Sequence, residues 1–324
     1  MDKTSSFYLT GYTIQNDSEI VGEIKSHRGT VLTSELTGKD ARLFSIGNDH
    51  VLRVNKNKLK SGHSRFDLVL KVKTSAGETS ETVVIVTDDF LKNKVVAHRG
   101  AWKNTNVPEN SIAAFNHAVR LGCEGSEFDV HMSADSLPVV NHDASIQGIS
   151  IARSQSADLL KLRLSNGEPM PTLEGYLKAG MNQYKTKLVL EIKPSELGKA
   201  SSIALTQKIV QMVEALHAQA WTDYISFDYD VCKEVMRLAP YTRVAYLNGD
   251  KSPEELAADK FFGFDYNIKV VEKNSSWVQD AHARNLTVNV WTVNDKEKMQ
   301  WLLSQNVDFI TTNEPELLLS LVTK

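Results

Sequence analysis

Only two cysteines occur, Cys123 and Cys232, too few for a disulfide framework or a zinc site. Each lies among apolar neighbours and reads as a small core residue. No run of 18 apolar residues is present, which excludes a transmembrane helix. Basic residues are not in excess: 37 Lys and Arg stand against 40 Asp and Glu, a net charge of −3. That balance disfavours a nucleic-acid or anionic-membrane partner. There is no Gly-rich phosphate loop and no nucleophile elbow, so neither hydride nor acyl transfer is suggested. Three N-x-S/T triplets, at Asn16, Asn274 and Asn285, carry no weight, because such triplets are frequent by chance. The first six residues hold no apolar leader. That fits a cytoplasmic protein, and equally an exported periplasmic or cell-envelope protein whose leader lies outside this sequence.

What is present suits a globular chain. Of 324 residues 41% are hydrophobic, enough for a large core without metal or disulfide support. Residues 1–90 show no helical periodicity but several short alternating stretches, at Phe7–Leu9, Glu19–Ile24, Val31–Leu32 and Val51–Val54. Phe66–Lys73, a turn over Ser75–Glu78 and Thr82–Val86 predict a hairpin. A small antiparallel β-sandwich is expected here. Its last two strands loosely resemble a cadherin-like or immunoglobulin-like repeat. Such a domain suits a module contacting an envelope, a glycan or a partner domain, or a plain accessory spacer. Asp88–Lys94 reads as a polar linker.

From residue 91 strands and helices alternate. Strands are predicted at 94–98, 125–130, 138–142, 187–192, 224–227, 243–247, 264–268, 287–292 and 307–311. Helices are predicted at 111–121, 201–220, 230–238, 275–284 and 296–305, with Ser111 opening the first and Gly122 stopping it. Alternation over about 230 residues implies an α/β fold with a parallel sheet, and the length suits a closed (β/α)8 TIM barrel. Residues 144–172 interrupt the pattern and are expected to form a small insertion above the barrel.

Charged and imidazole groups concentrate at predicted strand ends. His98 and Arg99 end the first strand. Glu127 and Asp129 stand two apart on the second and so face one side. His142 and Asp143 end the third, Glu191 and Lys193 another, and Trp291 and Thr292 a later one. Strand ends of one sense form a barrel's active-site face. Three carboxylates without cysteine suit one hard divalent cation, Mg²⁺ or Ca²⁺. Arg99 and Lys193 can neutralise a phosphate, and two histidines can move protons near neutral pH. The set fits phosphate-ester hydrolysis of a small-molecule substrate. Taken singly each group has an ordinary alternative: a solvated strand carboxylate, a surface ion pair, a helix cap or barrel packing. Their joint occurrence favours chemistry.

The runs His98-Arg99-Gly100, Pro108-Glu109-Asn110-Ser111, Glu127-Phe128-Asp129-Val130 and Pro138-Val139-Val140-Asn141-His142-Asp143 resemble the glycerophosphodiester phosphodiesterase family. Glu191-Ile192-Lys193, Ser226-Phe227, Trp291-Thr292-Val293-Asn294 and Thr311–Pro315 continue the match, which spans residues 94 to about 320. The resemblance implies a TIM barrel, a small inserted subdomain and one divalent metal on Glu127, Asp129 and Glu191. It implies His98 and His142 as the acid–base pair, Arg99 and Lys193 on the phosphate, and Phe227 and Trp291 beside the glycerol or leaving group. Glu109 would orient Arg99 or a histidine, or else reach the metal. The implied reaction gives glycerol 3-phosphate and an alcohol; a lysophospholipid or glycerophosphoinositol is the alternative substrate. Asn313 stands where the family usually has aspartate in Thr-Asp-x-Pro, and His131 is an extra histidine without an assigned role.

Overall fold

Alternation decides the first unit. In β7 (Arg65–Thr74) the side chains of Phe66, Leu68, Leu70 and Val72 are buried, while those between face outward or lie half-buried. A Ser75-Ala76 turn returns the chain into β8 (Gly77–Thr87), with register unbroken from Thr74–Gly77 to Arg65–Val86. The computed structural model describes residues 6–322. Before this hairpin come β1 (Phe7–Leu9), β2 (Thr13–Ile14), β3 (Ile20–Ser26), β4 (Val31–Thr37), β5 (Phe44–Ile46) and β6 (Val51–Val54). They form two four-stranded sheets, ordered β1-β3-β6-β5 and β2-β8-β7-β4. Pairing is antiparallel except for the two-residue β2, which runs parallel to the end of β8. Residues up to Asp89 group with Val213–Ala220 and Leu238–Tyr241 as one compact unit, and the remainder forms a second.

The second unit is a closed barrel. Its strands are β9 (Val95–Ala97), β10 (Gly125–Met132), β14 (Lys187–Ile192), β15 (Thr222–Ser226), β16 (Val244–Tyr246), β17 (Gly263–Asn267), β18 (Thr287–Trp291) and β19 (Phe309–Thr312). All eight are parallel, and β9 pairs with both β19 and β10 to close the ring. Each strand is followed by helix: α1 (Ile112–Leu121), α3 (Leu173–Gly180), α4 (Lys199–Ala215), α5 (Tyr229–Leu238), α6 (Pro253–Ala258), α7 (Ile268–Lys273) with α8 (Trp277–His282), α9 (Lys296–Ser304) and α10 (Pro315–Val322). Ser111 caps α1 by accepting the Ala114 amide at 3.0 Å, and Gly122 ends it at φ +82°. Both cysteines are buried and unpaired. No helix among the described residues is long and apolar enough to cross a membrane.

Two sequence expectations are corrected. The segment predicted as a third barrel strand is β11 (Pro138–Val140), which runs antiparallel to β10. Only Ser133–Leu137 connect the two. A parallel crossover needs a dozen or more residues, so this link can only fold back. Helix α4 ends at Ala215 rather than residue 220, because His217 turns into the left-handed region at φ +58°. The insertion holds β12 (Ser145–Ile146), β13 (Ile149–Ser150) and α2 (Ser156–Leu159). It has its own apolar cluster of Val139, Ile146, Ile151, Leu159 and Met170.

Candidate active site

The site is built at the carboxyl ends of the barrel strands. After β9 the chain takes two successive left-handed residues, Arg99 at φ +56° and Gly100 at φ +80°. A Cβ on Gly100 would lie 2.7 Å from the Ala114 Cβ and 2.8 Å from its carbonyl carbon, so glycine is required there. This turn aims the Arg99 amide at Glu127, whose Oε2 accepts it at 2.8 Å.

Glu127 and Asp129 on β10 and Glu191 on β14 are buried, each offering an oxygen within 4.8 Å of the others. Asp129 and Glu191 are direct register partners, which explains why two distant carboxylates meet. Burial, then the charges of Asp129 and Glu191, push the Glu127 carboxyl well above the usual range. Burial and Asp129 push Glu191 up to about 7. Burial would raise Asp129 too, but Lys193, the Asn110 hydrogen bond and other positive neighbours outweigh it and hold the group low. The Lys193 ammonium lies 3.0 Å from Asp129 Oδ1 and 2.8 Å from Glu191 Oε1. Arg99 reaches Glu109 through Nη1 at 2.9 and 3.1 Å, and its Nε lies 3.6 Å from Asp129 Oδ2. Glu109 therefore engages Arg99 and stands outside the carboxylate trio.

Glu127 Oε1 is buried with no hydrogen-bond partner. An uncompensated carboxylate oxygen beside two further carboxylates is costly in a protein interior. A hard divalent cation that takes oxygen donors removes that cost, so the donor set fits the ion expected from the sequence.

The histidines come from different elements. His98 follows β9, and its Nδ1 lies 2.8 Å from Asn313 Oδ1. The amide oxygen accepts, so the ring proton sits on Nδ1 and Nε2 keeps its lone pair. Burial, then the Arg99 charge, push His98 down to about 4, so the ring is neutral at pH 7. His142 stands beyond the antiparallel β11, half-buried, with Nδ1 2.7 Å from Asp143 Oδ1. His131 Nε2 donates to the His142 carbonyl at 3.0 Å, so the extra histidine fixes the backbone of His142. One cavity is lined by His98, Arg99, Glu127, His142, Glu191, Lys193, Phe227 and Trp291. The Phe227 and Trp291 rings meet edge-on at 5.5 Å. These eight groups and Asp129, all picked from the sequence, gather at one mouth, while Glu109 is held one step back by Arg99.

Two positions, Asn110 and Asp265, were given no role from sequence. Asn110, left-handed at φ +60°, donates from Nδ2 to Asp129 Oδ2 at 2.8 Å and accepts the Asp129 amide at 3.1 Å. Asparagine tolerates that backbone conformation, and its position one before the Ser111 cap was the available signal. Asn110→Ala is expected to cost about 2–3 kcal/mol, from a lost pair of buried hydrogen bonds and a strained φ. Urea unfolding checks it; a change below about 0.5 kcal/mol refutes the pairing's importance. Nothing local distinguishes Asp265 from other polar strand residues, whereas Asn313 was marked by its place in the Thr312-Asn313-Glu314-Pro315 motif.

Comparison with known proteins agrees with this geometry. The profile of the Glycerophosphoryl diester phosphodiesterase family matches residues 98–317. A glycerophosphodiester phosphodiesterase of Caldanaerobacter subterraneus subsp. tengcongensis is 28% identical over 253 residues, covering 72% of this chain and 99% of that protein. A solved glycerophosphodiester phosphodiesterase from Parabacteroides distasonis superposes with a TM-score of 0.70 at 42% identity, covering 73% of this chain and 98% of the other. An Oleispira antarctica phosphodiesterase, solved with the product sn-glycerol-3-phosphate, gives 0.60 at 25% identity, over 71% and 97%. With well over half its length matched, and with the buried acidic trio at the barrel mouth, the chain belongs to the glycerophosphoryl diester phosphodiesterase family.

Proposed function

We propose that the protein hydrolyses glycerophosphodiesters to glycerol 3-phosphate and an alcohol, with one divalent cation and the two histidines as proton carriers. The observation that carries this reading is the buried trio Glu127, Asp129 and Glu191 sharing a cavity with His98 and His142. Glu127, Asp129 and Glu191 would hold the cation, Mg²⁺ or Ca²⁺, which when bound withdraws charge from the phosphoryl oxygens. Arg99 and Lys193 bind the remaining phosphate charge. Glu109 keeps the Arg99 guanidinium in place. Phe227 and Trp291 wall the side that takes the glycerol or the leaving group.

The histidines divide the proton work by environment. His98 is neutral with a free Nε2, so it takes the proton of the attacking hydroxyl, from water or the neighbouring glycerol hydroxyl. His142 has the Asp143 carboxylate on Nδ1, which holds the ring and leaves Nε2 to protonate the departing alcohol. The direct test is choline release from glycerophosphocholine with and without a chelator. Full activity in excess EDTA rejects the cation requirement.

Asn313 offers a second test. An aspartate there would place a carboxylate on His98 Nδ1 and favour the imidazolium, raising the ring from about 4. Because the base must be neutral, the acid limb of kcat/KM is expected to move up by about one pH unit or more in Asn313→Asp. A pH–rate profile superposable on that of the parent would contradict the assignment of His98 as base.

A further inference from the structure

The cavity has two unlike walls. His98, Arg99, Glu127, His142, Glu191 and Lys193 supply the charged one. The other is made by Ile225, Phe227, Leu247 and Trp291, with Thr311 and Asp265 as its polar members. The Thr311 hydroxyl is occupied by Asn289, at 2.9 and 3.2 Å. Asp265 is different. It points from β17 into the barrel and is 2% exposed. Its Oδ2 accepts from Asn289 Nδ2 at 3.0 Å, while Oδ1 has no hydrogen-bond partner. It makes no ion pair among the described residues. Its backbone carbonyl accepts the Trp291 indole N–H at 2.8 Å, tying it to the aromatic wall.

We propose that Asp265 is a substrate-binding residue whose Oδ1 hydrogen-bonds a hydroxyl of the polyol half of the substrate, setting the preference for glycerol-bearing esters. This rests on the phosphodiesterase reading above. A phosphate held against Arg99 and Lys193 leaves its organic half on the opposite wall. There Asp265 is the one polar group with an open valence, in surroundings otherwise apolar. Recognition sites have this form, an apolar lining with few placed polar atoms. Burial, and next the Glu191 charge, push the carboxyl well above the usual carboxylate range. Oδ1 is a buried acceptor with nothing to accept, and a substrate hydroxyl supplies the missing donor. A site built to bond a hydroxyl rejects the analogue lacking it, since its own buried group is then left unpaired. Asp265 also borders a second cavity toward the other end of the barrel, lined by Lys187, Asp223 and Arg243. A purely structural role there is the competing outcome.

The test is calorimetric binding to the full-length protein in Mg²⁺, comparing glycerol 3-phosphate with n-propyl phosphate, alongside choline release from glycerophosphocholine. The wild type is expected to prefer glycerol 3-phosphate by about 30-fold, the scale of one hydrogen bond to a buried polar group. Asp265→Ala reduces the preference to within about threefold, and Asp265→Asn, which keeps a donor and an acceptor, retains most of it. The wild-type comparison needs no variant to fold. A wild type that releases choline without preferring glycerol 3-phosphate overturns this proposal alone, as does an Asp265→Ala protein with the preference intact. A wild type that neither releases choline nor binds either phosphate overturns the parent reading and this one with it.

Discussion

Replacing His98 by alanine is expected to lower kcat on glycerophosphocholine about a thousandfold, with KM moved less than about threefold. The ring's Nδ1 bonds the uncharged Asn313 Oδ1, which leaves Nε2 free to take a proton. It makes no ion pair with the carboxylate trio, so its loss leaves cation and phosphate binding in place. Near pH 7 the neutral ring contributes almost nothing to stability through ionisation, so the variant's loss there is that of the Asn313 hydrogen bond and the ring's packing. The sign matters at lower pH. The unfolded chain takes up a proton near 6.5 while the folded ring stays neutral until about 4, so His98 reduces stability as pH falls through that window. The alanine protein is therefore expected to lose less stability between pH 6.5 and 4 than its parent. Steady-state kinetics read the first effect and thermal melts at several pH values the second. A residual kcat above one tenth of the parent value removes His98 from the chemistry.

Glu127→Gln is expected to act in opposite directions on activity and on stability. Activity at fixed cation concentration falls at least about a hundredfold, as for loss of a metal ligand. The metal-free protein instead becomes more stable by about 1–2 kcal/mol, a few degrees in Tm at neutral pH. The cause is that Glu127 Oε1 is buried without a partner beside two other carboxylates. Glutamine keeps an oxygen for the Arg99 amide and removes the charge. A carboxyl pushed upward in the fold costs stability once pH exceeds its unfolded value, so the gain vanishes near pH 4 and grows as pH rises. Differential scanning calorimetry in EDTA measures it. Equal melting temperatures for the two metal-free proteins would show that the trio is not electrostatically frustrated.

Much of this site was legible because strand periodicity is short-ranged. Glu127 and Asp129 share a face by the two-residue repeat alone, and Glu191 with Lys193 likewise. That Asp129 meets Glu191 depends on the β10–β14 register, which no local pattern states. The same limit applies to Asn110, Asn313 and Asp265, whose partners lie 19 or more residues away. Helices α3, α6, α7 and α10 escaped prediction because all four are of eight residues or fewer and α10 is also apolar on most sides, so none shows a clean stripe. The placement of β11 was recoverable: a five-residue link decides its direction by chain geometry.

The two histidines belong to different pieces of architecture. His98 is rooted in the ring of parallel strands, whereas His142 hangs from an appended lobe with its own miniature core around Ile146, Ile151 and Leu159. On the function proposed above, the cation cradle and the proton donor thus lie on separable parts. Mutational drift in the lobe can retune which alcohols depart, or how readily, while the cradle's carboxylates remain undisturbed. On that reading, exchanging one segment of about 30 residues would alter proton delivery to the departing alcohol without rebuilding the scaffold beneath it.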